Sequence, residues 1–217
     1  MSAENLAGFQ IQGPLLKVEI EDLRPTQITV GMREVKLKQN ELDKEPKDKR
    51  HAYLDAHPVP VVRGPSGELH LIDHHHLARA LLDAGFHHAV TAIVADFSTL
   101  DLAAFWKKME AHQWVYPHDA QGRAQPYTSL PKTVAGLIDD PYRSLAGELR
   151  AAGGYEKTPT PFAEFAWANF LRNQIKLGDG KKEFDKALEA ALLLAHSAAA
   201  AHLPGYLPGR KSGPAKA

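Results

Sequence analysis

The stretch Glu68–Gly85, ELHLIDHHHLARALLDAG, decides how this chain is read. Glu68 to Ile72 reads as a strand, and a helix is expected from about His76 to Ala84, with Gly85 as its C-terminal stop. Just before it, Val59-Pro60-Val61-Val62 is a short β-branched run, and Gly64-Pro65-Ser66-Gly67 is a turn by composition. Val90 to Ala95 reads as a further strand. Strand, hairpin, strand, helix and strand in close succession predict a compact α+β arrangement. Three histidines, His74, His75 and His76, lie at the strand-to-helix junction, with Asp73 before them and Arg79 after.

Consecutive histidines are poorly spaced for a metal. On a helix they fan out by about 100° each, and a zinc site wants ligands at i and i+3 or i+4. Neither HxxxH nor HExxH occurs here, so a dedicated zinc site is not expected. An anion suits the junction better, because a helix N-terminus presents unpaired N–H groups and a partial positive charge. His75 and Arg79 are four apart and His76 and Arg79 three apart, so both pairs can share one side of the first turn. Arg79 would add a guanidinium fork, and the histidines a proton shuttle near neutral pH. Asp73 has three open roles: helix cap, histidine-orienting group, or magnesium ligand. The plainer reading stands beside these: an N-cap, a solvated junction and an exposed arginine.

Outward from this unit, Leu15 to Leu23 reads as one strand, broken by Arg24-Pro25-Thr26-Gln27. Val30 to Leu42 reads as a helix carrying Glu34, Lys36 and Lys38, both lysines within reach of a phosphate if not simply surface residues. An exposed turn at Glu41 to Arg50 leads to a short helix toward Ala56. Beyond residue 98 the pattern turns helical: Leu100–His112, a helix opening at Asp139-Asp140-Pro141 and ending near Gly153-Gly154, Pro159–Gly178 and Lys181–His202, with a loop-rich Tyr116–Pro131 between. Capping accounts for Asp139, Asp140 and Arg143, with a paired-acid metal role as the alternative. Trp106, Trp114 and Trp167 are expected to serve packing.

The chain of 217 residues balances 26 Lys+Arg against 26 Asp+Glu and has no cysteine. Disulfides, thiolate catalysis and cysteine-based zinc sites are excluded. The neutral balance disfavours a polymer such as DNA, which needs a basic stripe to neutralise its phosphates. The first residues lack the basic and apolar regions of a secretion signal, and Ala187–Leu203 is too short and alanine-rich to span a bilayer. A cytoplasmic protein without a membrane partner is the expectation; oligomeric state is not legible.

The segment ELHLIDHHHLARALLDAG resembles the signature of the ParB/sulfiredoxin superfamily, in which a strand runs into a D-G-H-H-R type motif and a helix with an R-A pair. With DDPYRSLAGELRAAGGY and FAEFAWANFLR, the chain more narrowly resembles the ParB-like "putative nuclease" family, over about residues 15 to 195. The resemblance implies a small mixed sheet with helices over 15–98, with a helical region over 99–202 packed on it; residues 1–14 are expected to form an N-terminal arm, and the three prolines, three glycines and three basic residues of 203–217 predict a disordered tail. Superfamily members include CTP-binding partition proteins, ATP-using sulfiredoxins, free-serine kinases and proposed nucleases, sharing a nucleotide or phosphate at the helix after the signature strand. The implied ligand is therefore a small phosphate-bearing molecule, with ATP, ADP or CTP and magnesium as cofactors. Implied catalytic residues are Glu34 as base with Asp73, His75 and His76. Implied phosphate-binding residues are His74, His75, His76, Arg79 and Lys36, with Arg24 and Gln27 at the end of the first strand. Two departures stand out: His74 occupies the motif's glycine position, and Leu77 replaces its arginine. The resemblance leaves three functions open: phosphoryl transfer to a small molecule, phosphodiester cleavage, and nucleotide or DNA binding without catalysis.

Overall fold

Val59–Arg63 (β4) is buried at Val59, Val61 and Val62 alike, so this strand is covered on both faces. The computed structural model describes residues 6, 8–46 and 49–209, of His51 the backbone alone. Contacts divide the chain into two units at Asp139 and Asp140, later than the expected boundary at residue 98.

In the first unit, β4 forms the expected hairpin with Leu69–Leu71 (β5) and lies parallel to His88–Asp96 (β6). Leu16–Glu19 (β1) pairs antiparallel with β6, and Leu23–Pro25 (β2) pairs parallel with β5. The order is β1-β6-β4-β5-β2. The single strand expected at Leu15–Leu23 is thus two strands on opposite edges of the sheet. A 3-10 turn, Ile20–Asp22, carries the chain across, with Ile20 and Leu23 fully buried as its anchors. Pro25, expected as a breaker, sits in the edge strand β2, where its missing N–H costs no ladder bond.

Met32–Lys44 (α1) and His75–Asp83 (α3) share one hydrophobic cluster with the sheet, through Val35, Leu42, Leu77, Ala78 and Leu81 against Leu23, Val59, Val61 and Leu71. Arg50–Ala56 (α2) precedes β4. Leu102–Ala111 (α4) supplies Phe105 and Met109 to a second cluster with Val62, Ile72 and Val94. Thr29–Val30 (β3) pairs in parallel with Ile138–Asp139 (β7).

The second unit is helical: Pro141–Ala151 (α5), Ala163–Gln174 (α6) and Lys181–Ala195 (α7). Leu145, Leu149, Trp167, Leu171 and Ala191 are its core, and Tyr155 stacks on Trp167 at 4.3 Å. The tail expected from residue 203 is ordered through 209. Leu203 is buried, Trp167 Nε1 donates to the Pro204 carbonyl at 2.8 Å, and Tyr206 bridges Tyr155. Residues 210–217, and residues 1–5 and 7 of the expected arm, lie outside the described residues.

His74 explains its own departure from the motif. It is the N-cap of α3 with φ 61° and ψ 26°, the left-handed conformation that glycine adopts without steric cost. Its ring Nδ1, 3.2 Å from the Pro58 carbonyl, holds it there. His74→Gly is expected to leave the thermal midpoint close to that of the parent, since relief of backbone strain offsets the lost side-chain bond. His74→Val places a β-branched residue in that conformation and should cost about 1–2 kcal/mol, read as a lower midpoint in thermal denaturation.

Candidate functional site

Two backbone connections meet at the start of α3, and adjacent histidines bind one each. His75 Nε2 accepts the Thr26 N–H at 3.2 Å, and His76 Nε2 accepts the Gly31 N–H at 2.9 Å. Both side chains are buried, at 4% and 8% exposure. His75 and His76, expected as phosphate-gripping residues, hold the 26–31 connection through these Nε2 nitrogens.

Gly31 is the N-cap of α1, so the bond to His76 brings the beginnings of two helices together. Glu34, in the first turn of α1, places Oε2 at 3.6 Å from His76 Nε2, and Lys38 Nζ lies 4.0 Å from Glu34 Oε1. Glu34, His76 and Lys38 thus assemble. Lys36 does not join them. Two positions on from Glu34 it points about 200° away around the helix, and its Nζ donates to Gln39 at 2.8 Å. Lys38, at i+4, shares the Glu34 face.

Asp73 is exposed, with Oδ1 accepting the His74 N–H at 2.7 Å. Burial holds His74 below the ordinary histidine value, against the opposing pull of Asp73 and the Pro58 carbonyl. Arg79, expected at the phosphate, has its guanidinium bonded within the fold. Its Nε donates to Asp83 at 2.8 Å and its Nη1 to the Leu137 carbonyl at 2.7 Å, tying α3 to the 134–137 turn. Gln27 is buried beside Tyr116 in an isolated bridge. Arg24 reaches the Lys132 carbonyl from β2.

The acids of the Asp-Asp-Pro motif are caps, as the capping reading has it, but for different helices. Asp140 accepts the Tyr142 N–H at 3.0 Å and pairs with Arg172; burial raises its carboxyl, which Arg172 opposes. Asp139 Oδ1 accepts the Met32 N–H at 2.9 Å and so caps α1 from 107 residues away. Arg143 pairs with Glu164. Among the described residues no three His, Asp or Glu side chains gather as a metal-binding set.

His70 was missed by sequence reasoning, although the Leu69-His70-Leu71 alternation places it on the sheet face away from the α1–α3 cluster. It packs 4.6 Å from Phe105, its Nδ1 is buried without a hydrogen-bond partner, and burial lowers its pKa to about 4.

Two measurements follow from these bonds. Thr26 N–H also donates to the Leu71 carbonyl at 3.2 Å, whereas Gly31 N–H leans on His76. His76→Ala should cost about 1–3 kcal/mol in urea unfolding, His75→Ala less, and His76→Gln, which restores an acceptor, less than His76→Ala. For His70 the folded pKa of about 4 lies below the unfolded value of 6.5. The unfolded chain then binds the extra proton, so stability is complete above pH 6.5 and falls as pH drops toward 4. The difference between wild-type and His70→Gln unfolding curves should open in that window and stay flat above it.

A family model described as "Putative ParB-like nuclease" matches residues 16–173. The crystal structure of protein Atu1540 from Agrobacterium tumefaciens is similar, at 47% sequence identity and a TM-score of 0.84, covering 90% of this chain and 97% of that one. No curated protein matches.

Proposed function

We propose that this chain, a member of the family described as "Putative ParB-like nuclease", is a phosphate-handling enzyme working where the starts of α1 and α3 meet. The observation that carries the reading is the Glu34 carboxylate 3.6 Å from His76 Nε2, at the junction of two helix N-termini. Aligned peptide dipoles put partial positive charge there, favouring a bound phosphate and the negative charge that spreads over its oxygens during transfer. Glu34 takes the proton from the attacking hydroxyl as the hydroxyl oxygen bonds the terminal phosphorus of the donor and the bond to the departing nucleotide breaks; Lys38 stands beside the carboxylate before the transfer. His75 and His76 are positioning residues: they act through the backbone they hold. Asp73, an exposed carboxylate at the start of α3, is the residue that would hold a magnesium ion, whose shell usually takes one or two carboxylates with the rest from phosphates and water. ATP, ADP or CTP is the phosphate donor in this reading, and the acceptor is a small molecule. The formal net charge of +0 supports a small substrate over a polymer.

The family description supports a second reading, phosphodiester cleavage with water in place of the hydroxyl. Both use Glu34, and they separate on substrate. With ATP, ADP or CTP and magnesium, the first expects a raised thermal midpoint; no shift with any of the three overturns it. The second expects cleavage of a model phosphodiester and DNA affinity that falls steeply with salt. In either case Glu34→Gln should lower kcat by about 10²–10⁴-fold with the ligand-induced thermal shift retained. Equal turnover by wild type and Glu34→Gln removes Glu34 from the chemistry.

A further inference from the structure

A second feature of the first unit lies outside the α1–α3 junction. Beside the edge strand β2 is a groove of about 370 Å³, with walls that include Arg24, Glu68, His70, Trp106, Tyr127 and Lys132. That volume sits at the small end of ligand sites, room for one ring system with a substituent.

The walls are built and braced. Trp106 and Tyr127 stack face to face with centroids 4.5 Å apart and planes 12° from parallel, so a ligand can stack on an outer face of the pair but not between the rings. The Tyr127 hydroxyl donates to Glu110, which fixes the ring in its plane. His70 meets Trp106 edge-on at 5.6 Å and backs onto Phe105. Gly64 makes room for it, since a Cβ there would lie 2.6 Å from His70 Nε2. Arg24 donates to the backbone carbonyl of Lys132, and both residues line the groove. Among the described residues neither Arg24 nor Lys132 has a carboxylate ion-pair partner. Glu68 is the one acid in the lining; its Oε2 accepts the Ser66 N–H at 3.1 Å. Two cations against one acid leave the groove one positive charge in excess, next to a flat π surface.

The geometry points to a binding site for a small planar ring carrying one anionic group, its ring against the Trp106–Tyr127 wall and its anion on Arg24 and Lys132. An aromatic face favours a flat ring, and an excess of cationic side chains in the lining favours an anion. Aryl carboxylates and nucleoside monophosphates both supply this chemistry. The site stands independently of the reading of Glu34, with which it shares no residue.

Isothermal titration of the full chain at low salt tests it, with indole-3-acetate and benzoate as one arm and AMP, CMP and UMP as the other. At least one arm should give saturable binding, and the arm that binds identifies the source of the anion. The uncharged counterparts, indole and the free nucleosides, should bind at least about tenfold more weakly, a 1.4 kcal/mol difference. An Arg24→Gln/Lys132→Gln double variant should lose about tenfold for the anionic probe alone. Tyr127→Leu should weaken all ring ligands while Tyr127→Phe retains them, with circular dichroism confirming folding of each. Glu34→Gln should bind the probes as wild type does. Absence of binding in both arms overturns the site. So does equal affinity for charged and uncharged rings, or for a ring and inorganic phosphate alone.

Discussion

The bond from the Gly31 N–H to His76 Nε2, 2.9 Å long and buried, is the constraint around which the first unit is arranged. It joins the N-cap of one helix to the first turn of another, and a histidine can do this because its ring nitrogen accepts at the end of a rigid side chain. Once Gly31 is fixed, the preceding β3 is placed to pair with β7, and Glu34 arrives beside the same imidazole. Arg79 secures the outer side of α3 to the turn that leads into β7. Hydrophobic contacts of Val35, Leu42, Leu77 and Leu81 press the two helices together, but such contacts have no direction. The hydrogen bonds choose the register.

The hairpin, α3 and β6 were legible because their signals are local: a β-branched run, a turn of glycine and proline, an apolar helical stripe and a glycine stop. Leu15–Leu23 misled because its residues are chemically continuous, while its pairing changes from one edge of the sheet to the other. Nothing in LLKVEIEDL marks Ile20 as a corner; burial on arrival does. At the site, Glu34 was reached by resemblance, and its closeness to His76 is a tertiary outcome. Arg79 and Lys36 illustrate the limit of helical spacing as a guide. Arg79 shares a side with the histidines yet is drawn to carbonyls of a turn 56 and 58 residues away. Lys36 is close to Glu34 in number but on another side of α1.

The second unit mixes both lessons. Its helix starts were readable at Asp140-Pro141, a capping acid followed by a residue that lacks the N–H no helix start needs. Its end was not. Leu203 to Gly209 has the glycine and proline content of a tail, yet a tryptophan indole and a tyrosine bridge hold it down. Composition reports the absence of regular structure, which differs from the absence of fixed structure.

The two neighbouring aspartates divide labour in a way that bears on how the chain acquires its shape. Asp140 serves a helix that follows it at once, so that helix is capped as soon as its own residues are joined. Asp139 serves a helix that began 107 residues earlier. During synthesis the carboxylate that bonds the Met32 N–H is not available until the chain has been made through residue 139. Only then can β7 settle beside β3 and the carboxylate close over Met32. The helix that carries Glu34 is among the first to be made and among the last to be finished, a long-range closure of the kind that slows folding.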